Sequence, residues 1–266
     1  MGTARQHGRL WGRGTADWAE IQEPNFVPIY EAVLSRLAIA RGTRLLDVGC
    51  GAGLAVALAR ERGALVSGLD ASAPSVEFAK ERTPSGTFVV GDLEALPFSD
   101  GSFDIVVGFN SFQFAGNPVA AFREARRVLV PHGRLGFALW AQREASQHSA
   151  VMSAIARLLS APPVADARGI EPPGPFALSR EGVVERLLDE ADFRIVERGE
   201  VAAAFSYRDE ATALRALFSS GTTQRAAEAV GDERVRAAIV EALAPFGTAS
   251  GGYVTRNSFR WVIACS

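Results

Sequence analysis

The sequence predicts an α/β domain in which buried strands alternate with helices. A short apolar run at residues 43–48 ends in an acid and a glycine-rich turn, and a helix-compatible stretch follows at once. Further apolar runs at residues 64–69, 87–90 and 103–109 are separated from it and from each other by helical or turn segments. Short apolar strands alternating with helical patterns are typical of an open sheet covered by helices on both faces.

Composition limits the possible functions. The chain has 266 residues, 48% hydrophobic and 22% charged, which suits one large globular domain or a domain with an inserted cap. Its formal net charge of −2 gives no general attraction to nucleic acid, so a small-molecule partner is expected. No apolar run approaches the roughly 18 residues that a membrane span requires. The two cysteines cannot form a zinc cluster alone, so we expect no metal and a cytoplasmic location.

The turn after the first strand predicts a ligand-binding loop. It consists of Asp47, Val48, Gly49, Cys50, Gly51, Ala52 and Gly53. Glycines at such a turn permit positive φ and let a ligand approach the main chain. A dinucleotide fingerprint needs a third glycine at position 54 or 56, but these positions carry Leu54 and Val56. The sequence therefore argues against an NAD(P)-dependent oxidoreductase.

The second strand ends in Asp70, which lies 19 residues after Gly51. An acid at this strand end can accept hydrogen bonds from ribose hydroxyls, which serves any adenosine-containing cofactor. The alternative role is an N-cap for the next helix, although Ser72 could supply that cap. The ribose interpretation is favoured.

The glycine turn resembles motif I of the class I S-adenosylmethionine (SAM)-dependent methyltransferases. More narrowly, it is similar to the small-molecule branch that includes the ubiquinone/menaquinone methyltransferases, type 11. The resemblance implies a Rossmann-like, doubly wound seven-stranded sheet, mostly parallel with an antiparallel last strand at residues 253–264, plus a helical lid. It also implies SAM as cofactor and S-adenosylhomocysteine as product.

The resemblance extends to two further segments. In the family, a Gly-Asp-x-x-x-Leu-Pro-Phe segment, here residues 91–98, closes the adenine site: Asp92 accepts from the exocyclic amine and the Leu93 amide meets a ring nitrogen. The loop after the fourth strand touches the methionine end of SAM. The predicted cofactor residues are therefore Asp47, Gly49, Cys50, Gly51, Gly53, Asp70, Ala71, Asp92, Leu93, Glu94, Phe109 and Asn110.

The same layout predicts four parts of the chain. Residues 1–40 form a helical segment covering the cofactor, residues 41–140 the SAM-binding core, residues 141–178 a proline-rich inserted lid, and residues 179–266 the rest of the core, with a helical substrate cover at 208–245. Trp11 and Trp18 in the first part can close over a cofactor or anchor the segment, and anchoring is the favoured interpretation. Pro162 and Pro163 belong to the predicted lid.

The predicted activity is methyl transfer to O or C of a small, largely apolar metabolite. The sulfonium of SAM is already a good leaving group, so little side-chain chemistry is required. Candidate catalytic residues are His148, Tyr30 and Gln113, the last at a position where relatives often carry histidine. Asn110-Ser111-Phe112 lacks the prolines that DNA amino-methyltransferases need. A SAM-binding cyclase or isomerase that transfers no methyl group is the alternative.

Overall fold

The computed structural model describes residues 3–159 and 165–266 and contains a seven-stranded sheet. The strands are β1 (Arg44–Val48), β2 (Leu65–Asp70), β3 (Thr87–Val90), β4 (Phe103–Phe109), β5 (Leu129–Trp140), β6 (Arg194–Tyr207) and β7 (Tyr253–Cys265). Their order is β3-β2-β1-β4-β5-β7-β6, and β7 runs antiparallel to both of its neighbours. The predicted sheet, with its antiparallel last strand, is confirmed.

Helices cover both faces of this sheet. They are α1 (Ala4–Trp11), α2 (Thr15–Asp17), α3 (Val27–Leu34), α4 (Leu54–Glu61), α5 (Ala73–Arg82), α6 (Pro118–Val128), α7 (Ser149–Arg157), α8 (Val183–Glu190), α9 (Glu210–Phe218), α10 (Gly221–Val230) and α11 (Asp232–Leu243). None of those in residues 3–159 and 165–266 is long and apolar enough to cross a membrane.

Two hydrophobic cores fill the spaces between sheet and helices. Leu45 and Leu46 are neighbours on β1 but belong to different cores, because successive strand side chains point to opposite faces. Ile29 of α3 and Val56 of α4 pack with Leu45, whereas Phe122 of α6 packs with Leu46. Burial on both faces explains why the strands are continuous apolar runs.

Local backbone geometry sets several element boundaries. α6 ends at Val128, and β5 begins directly at Leu129. Within β5, His132 has φ 64°, which marks an irregularity in the strand. α8 begins at Val183, after Gly182 with φ 76°, and no side-chain hydrogen bond caps it.

Within the described residues of the predicted lid at 141–178, a 3-10 turn at Arg143–Ala145 precedes α7, and residues 165–178 have irregular backbone. Val151 and Ile155 of α7 are fully buried, as the helical spacing predicts. The proline-rich piece includes Pro162 and Pro163, which lie outside the described residues. The division of the chain into four parts stays a prediction.

Candidate active site

A large cavity lies at the carboxyl ends of the parallel strands. It encloses about 1140 Å³ of empty space, its open mouth included. The ends of β1, β2 and β4 contribute the loops that follow Val48, Asp70 and Phe109. Ligands of open α/β sheets bind at this edge, because the strand-to-helix turns expose backbone groups there.

The glycine turn after β1 has the positive φ angles that the sequence predicts. Gly49, Gly51 and Gly53 have φ of 81°, 53° and 82°. A Cβ on Gly49 would lie 2.4 Å from the Cβ of Ser111, so only glycine lets the β1 and β4 loops touch here. Gly49 and Gly51 line the cavity, whereas Gly53 packs closely against Ala79 of α5.

Asp70 joins the glycine turn to the end of β2. Its Oδ2 accepts a hydrogen bond from the Gly51 amide at 2.9 Å, and its Oδ1 accepts one from the Ser72 amide at 2.8 Å. Burial raises the pKa of Asp70, although these backbone hydrogen bonds oppose the shift. Asp70 and Ala71 both line the cavity, and Ser72 is the N-cap of α5. Ser72, not Asp70, therefore caps α5. Ribose binding by Asp70 stays a prediction.

Two other predicted cofactor residues lie behind the glycine turn. Asp47 is 1% exposed and its Oδ1 has no hydrogen-bond partner. Burial raises the pKa of Asp47 well above its usual value, and the nearby Asp70 and Glu23 carboxyls raise it further. Cys50 is also buried, and neither Asp47 nor Cys50 lines the cavity. Their contact with a cofactor stays a prediction.

The loop after β3 contributes one residue to the cavity wall, Leu93. Asp92 Oδ1 accepts from the Glu94 amide at 2.9 Å and so closes its own turn. Glu94 Oε1 accepts from the Gly116 amide at 2.7 Å, which ties this turn to the loop before α6. The structure thus gives both acids local partners, and the predicted contact of Asp92 with an adenine amine stays a prediction.

The loop after β4 carries several buried polar atoms without partners. Asn110, at φ 52°, lines the cavity together with Phe109. Asn110 Oδ1 accepts from Gln113 Nε2 at 3.0 Å, whereas Asn110 Nδ2, Gln113 Oε1 and Ser111 Oγ are unpaired. Buried polar atoms normally find partners, so a cluster of unpaired ones beside a cavity indicates a polar ligand.

Negative charge is concentrated around the glycine turn. Glu23 is 2% exposed; its Oε2 accepts from Arg82 Nη1 at 2.5 Å and its Oε1 from the Leu54 amide at 3.3 Å. The first amide of α4 therefore has a protein partner, the Glu23 carboxylate. Burial raises the pKa of Glu23 despite the opposing effect of Arg82. Three acidic side chains, those of Glu23, Asp47 and Asp70, therefore lie around the glycine turn, and Glu23 is paired with Arg82.

The N-terminal segment, residues 3–26, lies across the carboxyl edge of the sheet. A Cβ on Gly8 would lie 2.0 Å from the Ala71 carbonyl oxygen, so α1 rests directly on the end of β2. Thr3 Oγ1 donates to the Phe114 carbonyl at 3.0 Å. Trp11 and Trp18, 5.1 Å apart edge to face, both line the cavity. Trp11 also packs on Gly221 of α10, so the tryptophans both anchor the segment and form the wall.

His148 lies on the far side of the cavity, just before α7, and is 2% exposed. Its ring stacks on Trp140 with centroids 5.5 Å apart and planes 7° apart, and its edge meets Phe205 at 5.3 Å. Its Nδ1 has no hydrogen-bond partner. Burial lowers the pKa of His148 to about 4, so the imidazole is neutral near pH 7.

The other two catalytic candidates are placed less favourably. Tyr30 is buried against Phe26 and Phe109 and does not line the cavity. Burial raises the pKa of Tyr30 well above its usual value, and the Glu23 and Asp47 carboxyls add to the shift, so its phenolate is a poor base candidate. Gln113 is 1% exposed behind the cavity wall, where it contacts Asn110.

Sequence reasoning missed several residues of the cavity wall. They come from separate segments that meet only in the folded chain: His7, Thr15, Gln22, Phe26, Ser75, Phe114, Trp140, Met152, Pro175, Ala216, Leu217, Ser220 and Thr222. It also missed Glu23, which lies 31 residues from Leu54 in the chain. The only signal for these residues was the aromatic content of residues 1–24 and the proline-rich lid.

The chain is similar to known methyltransferases. Residues 46–137 match a family model described as a methyltransferase domain. The chain is 34% identical over 127 residues to the malonyl-[acyl-carrier protein] O-methyltransferase of Erwinia pyrifoliae, which covers 48% of each protein. It is 39% identical over 110 residues to the 2-methyl-6-phytyl-1,4-hydroquinone methyltransferase of Synechocystis, covering 40% of this chain and 35% of that one. The chain thus spans half or less of these relatives.

Solved structures share the fold over nearly the whole chain. A SAM-dependent methyltransferase from Mesorhizobium loti superposes with a TM-score of 0.52 at 20% identity, covering 91% of this chain and 98% of that one. The [4+2]-cyclase SpnF gives a TM-score of 0.56 at 20% identity, covering 90% and 79%. Likeness at this level of identity shows the fold alone.

Proposed function

Because residues 46–137 form a methyltransferase domain of the class I, SAM-dependent type, we propose that the chain binds SAM in this cavity and transfers its methyl group to O or C of a small, largely apolar acceptor. The observation that carries the proposal is the convergence of the glycine turn, Asp70 and the unpaired polar atoms of the β4 loop on one cavity.

The residues present fit this cofactor. Asp70, Ala71 and Leu93 all line the cavity. In this proposal Asp70 accepts from the ribose hydroxyls, and Ala71 and Leu93 supply apolar walls for the adenine. The unpaired Asn110 Nδ2 and Ser111 Oγ suit the polar amino-acid end. The other predicted cofactor residues do not line the cavity, and we propose that they support the residues that do. These supporting residues are Asp47, Cys50, Gly53, Asp92 and Glu94.

Electrostatics support a sulfonium in particular. SAM carries a positive charge at sulfur, and S-adenosylhomocysteine does not. Burial raises the pKa of the Asp47, Asp70 and Glu23 carboxyls, and Glu23 also pairs with Arg82. A cation in the cavity stabilises their charged forms, so the site favours the methyl donor over the spent product.

The bound donor supplies an activated methyl group, and the chain supplies position and exclusion of water. Holding two reactants in line within about 3–3.5 Å can lower the activation free energy by roughly 7–11 kcal/mol. The N-terminal segment and α7 close the cavity with apolar side chains, among them Trp18 and Met152. These walls suit an acceptor that is itself largely apolar.

Calorimetric titration tests the cofactor assignment. We expect heat on titration with SAM and with S-adenosylhomocysteine, tighter binding of SAM, and no heat with NAD⁺. Binding of NAD⁺ alone, or no heat with any of the three, contradicts the proposal.

A SAM-binding cyclase or isomerase is the second candidate, and the fold shared with SpnF is the observation that favours it. Incubation with methyl-labelled SAM and a deproteinised small-molecule cell extract separates the two. Label in an organic product together with S-adenosylhomocysteine supports methyl transfer. Conversion of a substrate with all label retained in SAM supports the cyclase or isomerase.

A further inference from the structure

We propose that His148 accepts the proton of an acceptor hydroxyl, and that the acceptor is a flat, hydroxylated ring of phenol or enol type. This inference rests on the proposed function and narrows it from O or C of an apolar metabolite to the oxygen of a ring hydroxyl. It assigns a direct role to the only histidine of the lid region, residues 141–178.

The position of His148 is fixed by its surroundings. Its backbone amide donates to Asn257 Oδ1 at 2.9 Å, which ties the start of α7 to β7. The ring lies between Trp140 and Phe205, so it has little freedom to turn. The side chain is nevertheless part of the cavity wall, and its Nδ1 is a buried polar atom without a partner. A buried, unpaired ring nitrogen on a side chain that lines a cavity indicates a ligand that can hydrogen-bond to the ring.

The protonation state suits an acceptor of hydrogen bonds. Burial alone lowers the pKa of His148 to about 4, with no contribution from a charged neighbour. A neutral imidazole offers one lone pair and one N–H, whereas the imidazolium offers two donors and no lone pair. His148 can therefore accept from a neutral hydroxyl near pH 7. The other titratable side chains in the cavity wall are His7 and Asp70, on the N-terminal segment and at the end of β2.

The walls of the cavity suit a flat ring. Its large side chains are mostly aromatic and come from four parts of the chain: Trp11, Trp18, Phe26, Phe109, Phe114 and Trp140. Flat rings pack against such walls in offset or edge-to-face contacts that contribute about 0.5–1.5 kcal/mol beyond burial. The rings that contact His148, those of Trp140 and Phe205, are apolar, so a ring with one hydroxyl group suits this part of the cavity.

The reaction balances with the groups named. The acceptor oxygen forms a bond to the methyl carbon, the carbon–sulfur bond breaks, and its electron pair stays on sulfur. The hydroxyl proton passes to the free imidazole nitrogen of His148. The positive charge thus moves from sulfur to the imidazole, and the proton leaves to water when the product departs. The acidity of the hydroxyl rises steeply as the oxygen–carbon bond forms, so a weak base is sufficient.

A matched pair of probes tests the inference without turnover. In the presence of S-adenosylhomocysteine, we titrate the protein with 2-naphthol and with 2-methoxynaphthalene, which lacks the hydroxyl proton. We expect 2-naphthol to bind about tenfold more tightly, as one hydrogen bond to a buried acceptor provides. His148→Phe, which retains an aromatic ring against Trp140, should abolish this difference. His132→Asn, in an exposed turn where asparagine tolerates the positive φ, should preserve it.

Nitrogen NMR provides a readout that a structural role would not change. The chain has 3 histidines, and loss of one signal in His148→Phe assigns the imidazole. We expect 2-naphthol, but not 2-methoxynaphthalene, to shift the acceptor nitrogen of His148. Equal binding of the two probes, binding of neither, or an unmoved His148 signal overturns the inference. Unchanged S-adenosylhomocysteine affinity in His148→Phe shows that the variant is folded. Absence of S-adenosylhomocysteine binding in the parent chain contradicts the proposed function instead.

Discussion

The two halves of the cavity are built in different ways. The half that we propose binds the cofactor, called the cofactor half, is formed by Gly49, Gly51, Asp70, Leu93 and Asn110. It consists of turns at the ends of adjacent strands of one sheet. The acceptor half is formed by Trp18, Trp140, His148, Met152 and Ser220, which come from separate segments of the chain.

This difference matters for function. Hydrogen bonds to backbone amides, such as that from the Gly51 amide to the Asp70 carboxylate, hold the cofactor half, whereas side-chain packing holds the acceptor half. Loops and inserted segments can vary while the sheet stays constant, so the acceptor half is the part that can change with the substrate. The predictions below separate the two halves, beginning with the largest expected effect.

The largest effect is expected from Gly49→Ala, which alters the glycine turn of the cofactor half. The new Cβ meets Ser111 at 2.4 Å, and alanine is also strained at φ 81°. We expect a loss of about 3 kcal/mol in the free energy of unfolding and no measurable S-adenosylhomocysteine binding. Urea unfolding and calorimetry measure the two quantities.

Gly101→Ala is the control for backbone strain alone. Gly101 has φ 64°, and a Cβ added there would have no neighbouring atom within 4 Å. We expect about 1 kcal/mol of destabilisation and unchanged affinity. Equal losses in the two variants would show that the contact between the β1 and β4 loops is unimportant.

Asp70→Ala tests the ribose contact and should have the next largest effect. In the variant the ribose hydroxyls lose two hydrogen bonds to a charged carboxylate. The affinity for SAM and for S-adenosylhomocysteine should therefore fall by about 100-fold. Asp104→Ala is the matched control, because Asp104 pairs with Arg44 at the opposite end of β4 and should leave affinity unchanged. Destabilisation of Asp70→Ala equivalent to its loss of affinity would mean that Asp70 is structural.

Part of the cavity wall could be predicted from the sequence because its signals are local. Gly49, Gly51 and Asp70 are recognisable from spacing alone, and the structure places all three in one wall. The acceptor half depends on long-range contacts, such as His148 with Asn257, 109 residues away. No periodicity in one segment indicates which distant segment will pack against it, so Trp140 was predicted only as the end of a strand.

The acid stability of the protein tests the burial of His148 in the acceptor half. Its folded pKa of about 4 lies below its ordinary value of 6.5, so the unfolded chain binds more protons between these values. Stability should therefore fall as the pH falls through this window. Between about pH 7 and about pH 4.5, the parent chain should lose about 2 kcal/mol more than His148→Phe.

Comparing the parent chain with His148→Phe isolates the contribution of His148 to the pH dependence of stability. The raised pKa values of Asp47, Asp70 and Glu23 act in the opposite direction, since their folded forms bind protons more readily, and they are common to both chains. Urea unfolding at the two pH values provides the measurement. Parallel pH dependences of stability would show that His148 is not buried as a neutral group.

The smallest effect is expected from Glu228→Gln, which removes the ion pairs of Arg9 and Arg13 with α10. These groups are exposed, so the urea midpoint should not change measurably. The N-terminal segment should nonetheless be held less firmly, and S-adenosylhomocysteine should dissociate about twofold faster at low salt. Stopped-flow measurements in low and high salt check this, and an unchanged rate at low salt would contradict a role for these pairs in holding the segment.

A crystal structure of the chain with S-adenosylhomocysteine tests most directly whether the two halves form one active site. The ribose hydroxyls should bond to Asp70, and the sulfur should face the acceptor half, with open space between it and His148. A nucleoside bound elsewhere, or a sulfur directed away from the side of the cavity that contains Trp140 and His148, would contradict the account.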